Sequence, residues 1–337
     1  MTKSIIKIGN KSVGLGKPVF FIAEIGVNHD NNYTQALELI DVASDSGADA
    51  VKLQLYYADN MWPRKSRSYA ILKKLETNRA WLPDLIKYAE TKGVILFSSP
   101  FDIDAINLVS NLKTPAIKWA SSQIYDLPLL SFAAKKNIPM ILATGACNLI
   151  DVDRAVKAVE EAGNEDLILM HCVSSYPTQP QDANLRVMDT LAKKFNCPVG
   201  FSDHTIGLDV PISAVARGAS IIEKHYTLSR KLTGPDHGFA IEPNELKELI
   251  SRIRDVEKSL GSPEKVFIDG AEDQEYIVRL FAKVDIGIGS KITREQIVVK
   301  RSNQGLLPYE LESIIGSIVV KKIQADEPIL KETLSIS

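Results

Sequence analysis

Eight short apolar runs recur along the chain, each followed by a helical pattern. The runs are Val19–Gly26, Ala50–Tyr56, Val94–Phe97, Ala116–Trp119, Met140–Ala143, Leu167–Met170, Pro198–Phe201 and Ser220–Ile222. The helical stretches are Gln35–Gly47, Leu82–Lys92, Asp104–Leu112, Pro128–Lys136, Asp151–Ala162, Leu185–Lys194, Val210–Arg217 and Pro243–Leu260. In the first of these, Leu37, Ile40 and Ala43 share one face, and Gly47 stands where a helix ends. Strands that read as continuous apolar runs are covered on both faces. Strict alternation of eight strand–helix units therefore predicts an α/β fold, a closed (β/α)8 TIM barrel. An open doubly wound sheet is the competing architecture, but no GxGxxG follows the first strand.

The pattern changes after Gly261. Ser262–Arg279 is polar, contains a proline and has no clear period, so it reads as a linker over 262–279. From Leu280 the segments are short and β-rich, broken by Gly287, Gly289, Pro308 and Pro328. The expected division is a catalytic barrel over 1–261 and a small β domain over 280–337. So short a module has a marginal core and gains stability by docking, on its own barrel or a partner's. A net charge of −2 leaves no footprint for nucleic acid or an anionic membrane. No run approaches the roughly 20 apolar residues of a membrane span, and the first residues show no signal-peptide pattern. Cys147, Cys172 and Cys197 are scattered without a CxxC, as in reduced thiols of a cytoplasmic protein.

In a barrel of this kind function lies at the C-terminal strand ends. Every apolar run here leads into a polar cluster. Glu24, Asn28 and His29 close the first, and Lys52 and Gln54 lie in the second. Ser98 and Ser99, then Lys118, Ser121 and Ser122, then Thr144 follow. The last three clusters are His171, Ser174 and Tyr176; Ser202, Asp203 and His204; and Glu223, Lys224 and His225. His204 and His225 are 21 residues apart (225 − 204), about one strand–helix unit, so their imidazoles can converge on a metal ion. The alternative is two unrelated histidines near strand ends. Lys52 and Lys118 are embedded in apolar strands, so each has a structural carboxylate or faces an anionic ligand. Ser99, Ser121, Thr144 and Ser202 would add neutral donors to such an anion. A Schiff-base lysine is the competing chemistry.

The motifs AEIGVNH (Ala23–His29), DAVKLQ (Asp49–Gln54), FSSPF (Phe97–Phe101), IKWASSQ (Ile117–Gln123), HCVSSYPT (His171–Thr178), GFSDHT (Gly200–Thr205), EKHYT (Glu223–Thr227) and GPDH (Gly234–His237) resemble those of the sialic acid synthase family. They occur in the family's order over nearly the whole chain, and Leu280 to Leu334 resembles its C-terminal antifreeze-like (SAF) domain. The resemblance implies condensation of phosphoenolpyruvate with an N-acetylated amino sugar to a nonulosonic acid. It implies a divalent metal on His204 and His225, manganese first, with magnesium or cobalt as alternatives. Lys52, Ser99, Lys118, Ser121 and Ser202 match residues that hold phosphoenolpyruvate. Gln54, Tyr176 and Asp236 match positions around the sugar. Glu24 matches a glutamate near the reacting carbons and is the first choice for proton handling, with Asp236 as the alternative. Arg301 matches an arginine inserted into the site of a domain-swapped dimer partner. The chain departs from the family at Gln123, Ser174, Ala240 and Ser302-Asn303, which are expected where the sugar sits. Two other readings stay open at this point: phosphoenolpyruvate condensation on another sugar, and a non-catalytic sugar-binding relative.

Overall fold

The computed structural model describes residues 2–267 and 276–335. Eight parallel strands close a barrel: β3 (Phe20–Gly26), β4 (Ala50–Leu55), β5 (Ile95–Pro100), β6 (Ile117–Trp119), β7 (Met140–Ala143), β8 (Leu167–Cys172), β9 (Val199–Asp203) and β10 (Ile221–His225). Each pairs with the next in sequence, and β10 returns to β3 with Glu24 opposite His225. The helices that follow these strands lie outside, from α1 (Tyr33–Asp45) to α10 (Pro243–Leu260). They bury residues such as Leu39, Leu85, Val109, Val159 and Leu249 against outward-facing strand residues such as Phe21, Val51 and Ile222.

Side chains on a strand alternate between faces, and in a closed barrel one face is the interior. On β3 this sends Phe20, Ile22 and Glu24 inward. On β10 it sends Ile221, Glu223 and His225 inward. The lower interior is an apolar layer of Phe20, Ile22, Ala50, Phe97, Ile141, Ile168 and Ile221. One step further along the same strands the interior turns polar. Several strands therefore run past the apolar segments that mark them in sequence: β8 reaches Cys172, β9 reaches Asp203 and β10 reaches His225. The backbone ladder continues through polar residues because hydrogen bonding does not depend on which side chain enters the mouth.

The amino-terminal hairpin, β1 (Ile5–Ile8) with β2 (Lys11–Gly14), is absent from the sequence reading. Its strands are too short to stand out as apolar runs. Ile6, Ile8 and Val13 nevertheless pack on Phe20, Ile22 and Ile221 and seal the N-terminal end of the barrel.

The chain divides into two compact units after Gly261. In the second, β11 (Val278–Ala282) pairs antiparallel with β12 (Ile297–Arg301), and β13 (Ile318–Val319) with β14 (Leu334–Ser335). Leu280, Ile286, Ile292, Val319, Ile323 and Ile329 form a core of its own. Part of the expected linker, 268–275, lies outside the described residues. Its last two residues are strand: β11 begins at Val278, whose register partner is Arg301. No helix among the described residues is long and apolar enough to cross a membrane.

Closure of β9 on β10 needs a residue without a side chain. A Cβ at Gly200 would stand 2.7 Å from the Ile221 carbonyl oxygen and 2.8 Å from its Cβ. Gly200→Ala is expected to cost about 2 kcal/mol and lower the melting temperature by roughly 5 °C. An unchanged thermal unfolding curve would contradict this packing.

Candidate active site

The polar layer rests on four charged side chains that the alternation brings together. Lys52 Nζ lies 2.8 Å from Glu24 Oε2 and 3.5 Å from Glu223 Oε2. Lys118 Nζ lies 3.2 Å from Glu223 Oε1. All four are buried. Ser202 Oγ donates to Glu223 Oε1 at 2.8 Å, Gln54 Nε2 to Glu24 Oε1 at 3.1 Å, and Lys52 to Ser99 Oγ at 3.2 Å.

Burial alone raises both carboxyl groups, but the outcomes differ. Glu24 stays above the ordinary range because burial, with the nearby Glu223 charge, outweighs the pull of Lys52. Glu223 also suffers burial, yet Lys118 and Lys52 together carry it below that range. Burial presses Lys52 down, and the Glu223 and Glu24 carboxylates more than restore it. One carboxyl readily holds a proton beside two ammonium groups. The floor therefore leans positive and suits an anion.

His204 and His225 stand at the mouth, with ring centroids 5.6 Å apart. His204 Nδ1 donates to the Val173 carbonyl at 2.8 Å, which leaves the Nε2 lone pair available. His225 Nδ1 is buried without a hydrogen-bond partner, 3.5 Å from Asp236 Oδ2. Burial lowers both imidazoles, so both are neutral, the form that binds metals. Asp236 is pushed up to about 6 by burial, against a hydrogen bond from the Val27 amide. Gly26, at φ +57°, permits this approach: a Cβ there would lie 2.8 Å from Asp236 Oδ2 and 3.1 Å from His225 Cε1. The donor set fits a divalent ion held by two imidazoles. No group of three His, Cys, Asp or Glu in a metal-binding arrangement occurs among the described residues.

Charged floor and imidazoles open on one cavity of about 390 Å³. Its other wall is apolar. Val27, Tyr56 and Phe101 pack with Met61, Trp62 and Leu72, supplied by the segment after β4 that carries α2 (Ala58–Met61) and α3 (Arg67–Leu72). The Tyr176 ring lies 4.2 Å from that of His204, and Phe239 lies 5.1 Å from that of His225.

Glu24, Lys52, Gln54, Ser99, Lys118, Ser121, Tyr176, Ser202, His204, His225 and Asp236 all line this cavity. Thr144 does not: its hydroxyl donates to the Met170 carbonyl. Arg301 is an exposed residue of β12 in the second unit. Of the departures expected around the sugar, Ser174 lines the cavity, whereas Ala240 and Gln123 do not: Ala240 is buried, and the Gln123 backbone carbonyl accepts from Trp119 Nε1. His171, noted among the strand-end residues, faces outward to the Ala183 carbonyl. The sequence reading gave Glu223 no role, although it bridges both lysines. Its period-two relation to His225 is the signal that would have found it. The lysine alternatives turn out not to exclude each other, since each has a carboxylate partner and each lines the cavity.

A profile for the NeuB family matches residues 39–265, and an SAF domain profile matches 279–335. The N,N'-diacetyllegionaminic acid synthase of Legionella pneumophila is 38% identical, over 96% of this chain and 97% of that protein. The pseudaminic acid synthase of Helicobacter pylori is 33% identical, over 95% and 99%. The crystal structure of N-acetylneuraminic acid synthetase from Leptospira borgpetersenii, in complex with citrate, is 35% identical with a TM-score of 0.76, covering 80% of this chain and 94% of that one.

One buried histidine sets an acid limit on the fold around the mouth. His29 Nδ1 accepts from the Asn31 amide at 3.0 Å, and Nε2 donates to Thr77 Oγ1, which donates to the Gln54 carbonyl at 2.9 Å. Burial lowers its pKa from 6.5 to about 4. The unfolded chain takes up the proton first, so stability present above pH 6.5 is lost as pH falls through about 4. Between pH 7 and 4 the wild type should lose roughly 3 kcal/mol more than His29→Gln. Parallel pH series of denaturant unfolding check this, and equal slopes would refute it.

Proposed function

The chain belongs to the NeuB family, whose named relatives are synthases of nonulosonic acids, and from that premise we propose that it condenses phosphoenolpyruvate with an N-acetylated amino sugar and water. The products are a nonulosonic acid and phosphate. The observation that carries this reading is one cavity lined by Lys52 and Lys118 on its floor, by the His204 and His225 imidazoles at its mouth and by an apolar wall. Phosphoenolpyruvate brings a phosphate and a carboxylate, which Lys52 and Lys118 neutralise with Ser99 and Ser121 as donors, while Ser202 donates to Glu223 and holds that carboxylate in place. The apolar wall of Met61, Trp62, Leu72 and Phe101 suits N-acetyl or deoxy methyl groups of the acceptor. Lys52 and Lys118 are the only lysines or arginines among the described lining residues of this chain, and phosphoenolpyruvate takes both, so within one chain an acceptor phosphate has no cation of its own. N-acetylmannosamine or a 6-deoxy diamino sugar fits these conditions.

In this mechanism carbon 3 of phosphoenolpyruvate bonds to the aldehyde carbon of the open-chain sugar. Water adds at carbon 2, and phosphate leaves with cleavage of its C–O bond. A divalent metal, manganese first, held by His204 and His225 would act as a Lewis acid toward the aldehyde oxygen. Tyr176 and Phe239 shield those imidazoles and keep them oriented. Glu24, raised by burial so that it both gives and takes a proton near neutrality, handles the proton of the attacking water. Asp236, near neutrality at about 6, is the second candidate for that transfer.

The test is phosphate release from phosphoenolpyruvate with a panel of N-acetylated, 6-deoxy diamino and phosphorylated sugars, with manganese and with chelator. Release that needs an unphosphorylated N-acetylated acceptor and stops with chelator is the expected result. Release without any sugar, or none with any acceptor, would sink the reading.

The proposal includes a homodimer in which Arg301 serves the partner's site, supported by the resemblance of the VKRSN segment. A mixture of Arg301→Ala and His204→Ala chains, each nearly inactive, should recover toward about a quarter of wild-type activity if chains exchange randomly. Demonstrated exchange without recovery would remove Arg301 from the partner's site.

A further inference from the structure

A second buried ion pair lies behind the site and takes no part in the chemistry proposed above. Lys224 Nζ contacts Asp203 Oδ2 at 2.5 Å and donates to the Thr205 carbonyl at 2.7 Å. The two side chains are 2% and 0% exposed. Neither lines the cavity. By alternation they point away from the interior, between β9 and β10 and the helical layer, and they are direct register partners across the two strands. Asp203 Oδ1 also accepts from the Thr205 amide at 2.9 Å and the Thr205 hydroxyl at 2.8 Å.

Position in sequence gives the pair its interest. Asp203 and Thr205 flank His204, and Lys224 immediately precedes His225. Lys224 therefore ties both residues beside one imidazole to the residue beside the other. The remaining constraints on His204 come from its own ring, which donates to Val173, and from its carbonyl, which accepts from the Thr178 amide at 2.9 Å. The His225 carbonyl likewise accepts from the Ile241 amide at 3.0 Å, but its ring Nδ1 has no hydrogen-bond partner, so its imidazole lacks the ring anchor that Val173 gives His204. A fully buried ion pair is poor evidence for stability, because desolvation cancels most of its Coulomb gain. Fixing geometry is what such a pair does well.

We propose that Asp203 and Lys224 are positioning residues that lock the ends of β9 and β10 in register, and so set the separation at which His204 and His225 hold a divalent metal. The inference rests on the metal reading given above. Without the pair, the end of β10 is held by its bonds to β3 and Ile241 and the end of β9 by Thr178, and the side-chain tie directly between the two ends is lost. Partners one shell removed from a metal typically change its affinity by about 10- to 100-fold.

The experiment measures Mn2+ binding to the metal-free full-length protein by isothermal titration and by the electron paramagnetic resonance of bound Mn2+, with thermal unfolding of the same samples. The variants are Lys224→Met and the double Asp203→Asn/Lys224→Met. The single variant strands a buried carboxylate and risks misfolding. The double variant removes both charges and keeps an acceptor for Thr205. It should unfold near the wild-type temperature without metal, yet bind Mn2+ at least about 10-fold more weakly, with a broadened spectrum. A folded double variant with wild-type Mn2+ affinity and spectrum overturns the positioning role alone. A double variant that melts far below wild type makes the pair a stability element and overturns it as well. Failure of the wild type itself to bind Mn2+ overturns the metal reading, and this inference with it.

Discussion

Everything at the barrel mouth depends on Glu223 standing between two lysines. A buried ammonium group is costly without a counter-charge, and two of them pointing into one apolar barrel would repel. The Glu223 carboxylate lies within ion-pair distance of both Lys52 and Lys118, and Ser202 fixes one of its oxygens. Removing one member of such a buried cluster typically costs about 3–5 kcal/mol, because the others are left uncompensated. Glu24 then completes the cluster at the edge, where its own ionisation is the easiest to give up.

That arrangement separates tasks along the barrel axis. The apolar layer below, sealed by the amino-terminal hairpin, excludes water from beneath the charges and strengthens each interaction above it. On the proposed reading these charges would receive the anion of the first substrate. The imidazoles sit one step higher, on the same inward face of β10 as Glu223 and just beyond the last residue of β9. The βα segments above them are free to define the second substrate. Here the segment after β4 contributes Met61, Trp62 and Leu72, an apolar surface that on the proposed reading would recognise shape and methyl groups more than charge. On the proposed reading, anion binding would belong to the strands and acceptor choice to the loops, as expected when loops vary over a fixed scaffold.

The sequence by itself determined the architecture. Eight apolar runs separated by helical periods leave few closed arrangements, and the break after Gly261 separates a second unit whatever its details. It also determined most of the cavity-lining set. Residues that follow an apolar run at period two must share the interior face, so Lys52, Lys118, Glu24 and His225 were bound to meet in any barrel with this strand order. Tertiary structure alone decided which of the polar residues act on each other. Thr144 reads like Ser99 in sequence, but the Met170 carbonyl captures its hydroxyl. Glu223 and Lys224 are neighbours in one strand, yet one bridges the two lysines inside while the other clamps Asp203 outside. The hairpin, the outward His171 and the approach of Asp236 to His225 past Gly26 likewise depend on contacts across long sequence separations. Local pattern fixes the face of each residue. Partnership depends on the register between strands and on where each loop returns, and those are settled only when the barrel closes.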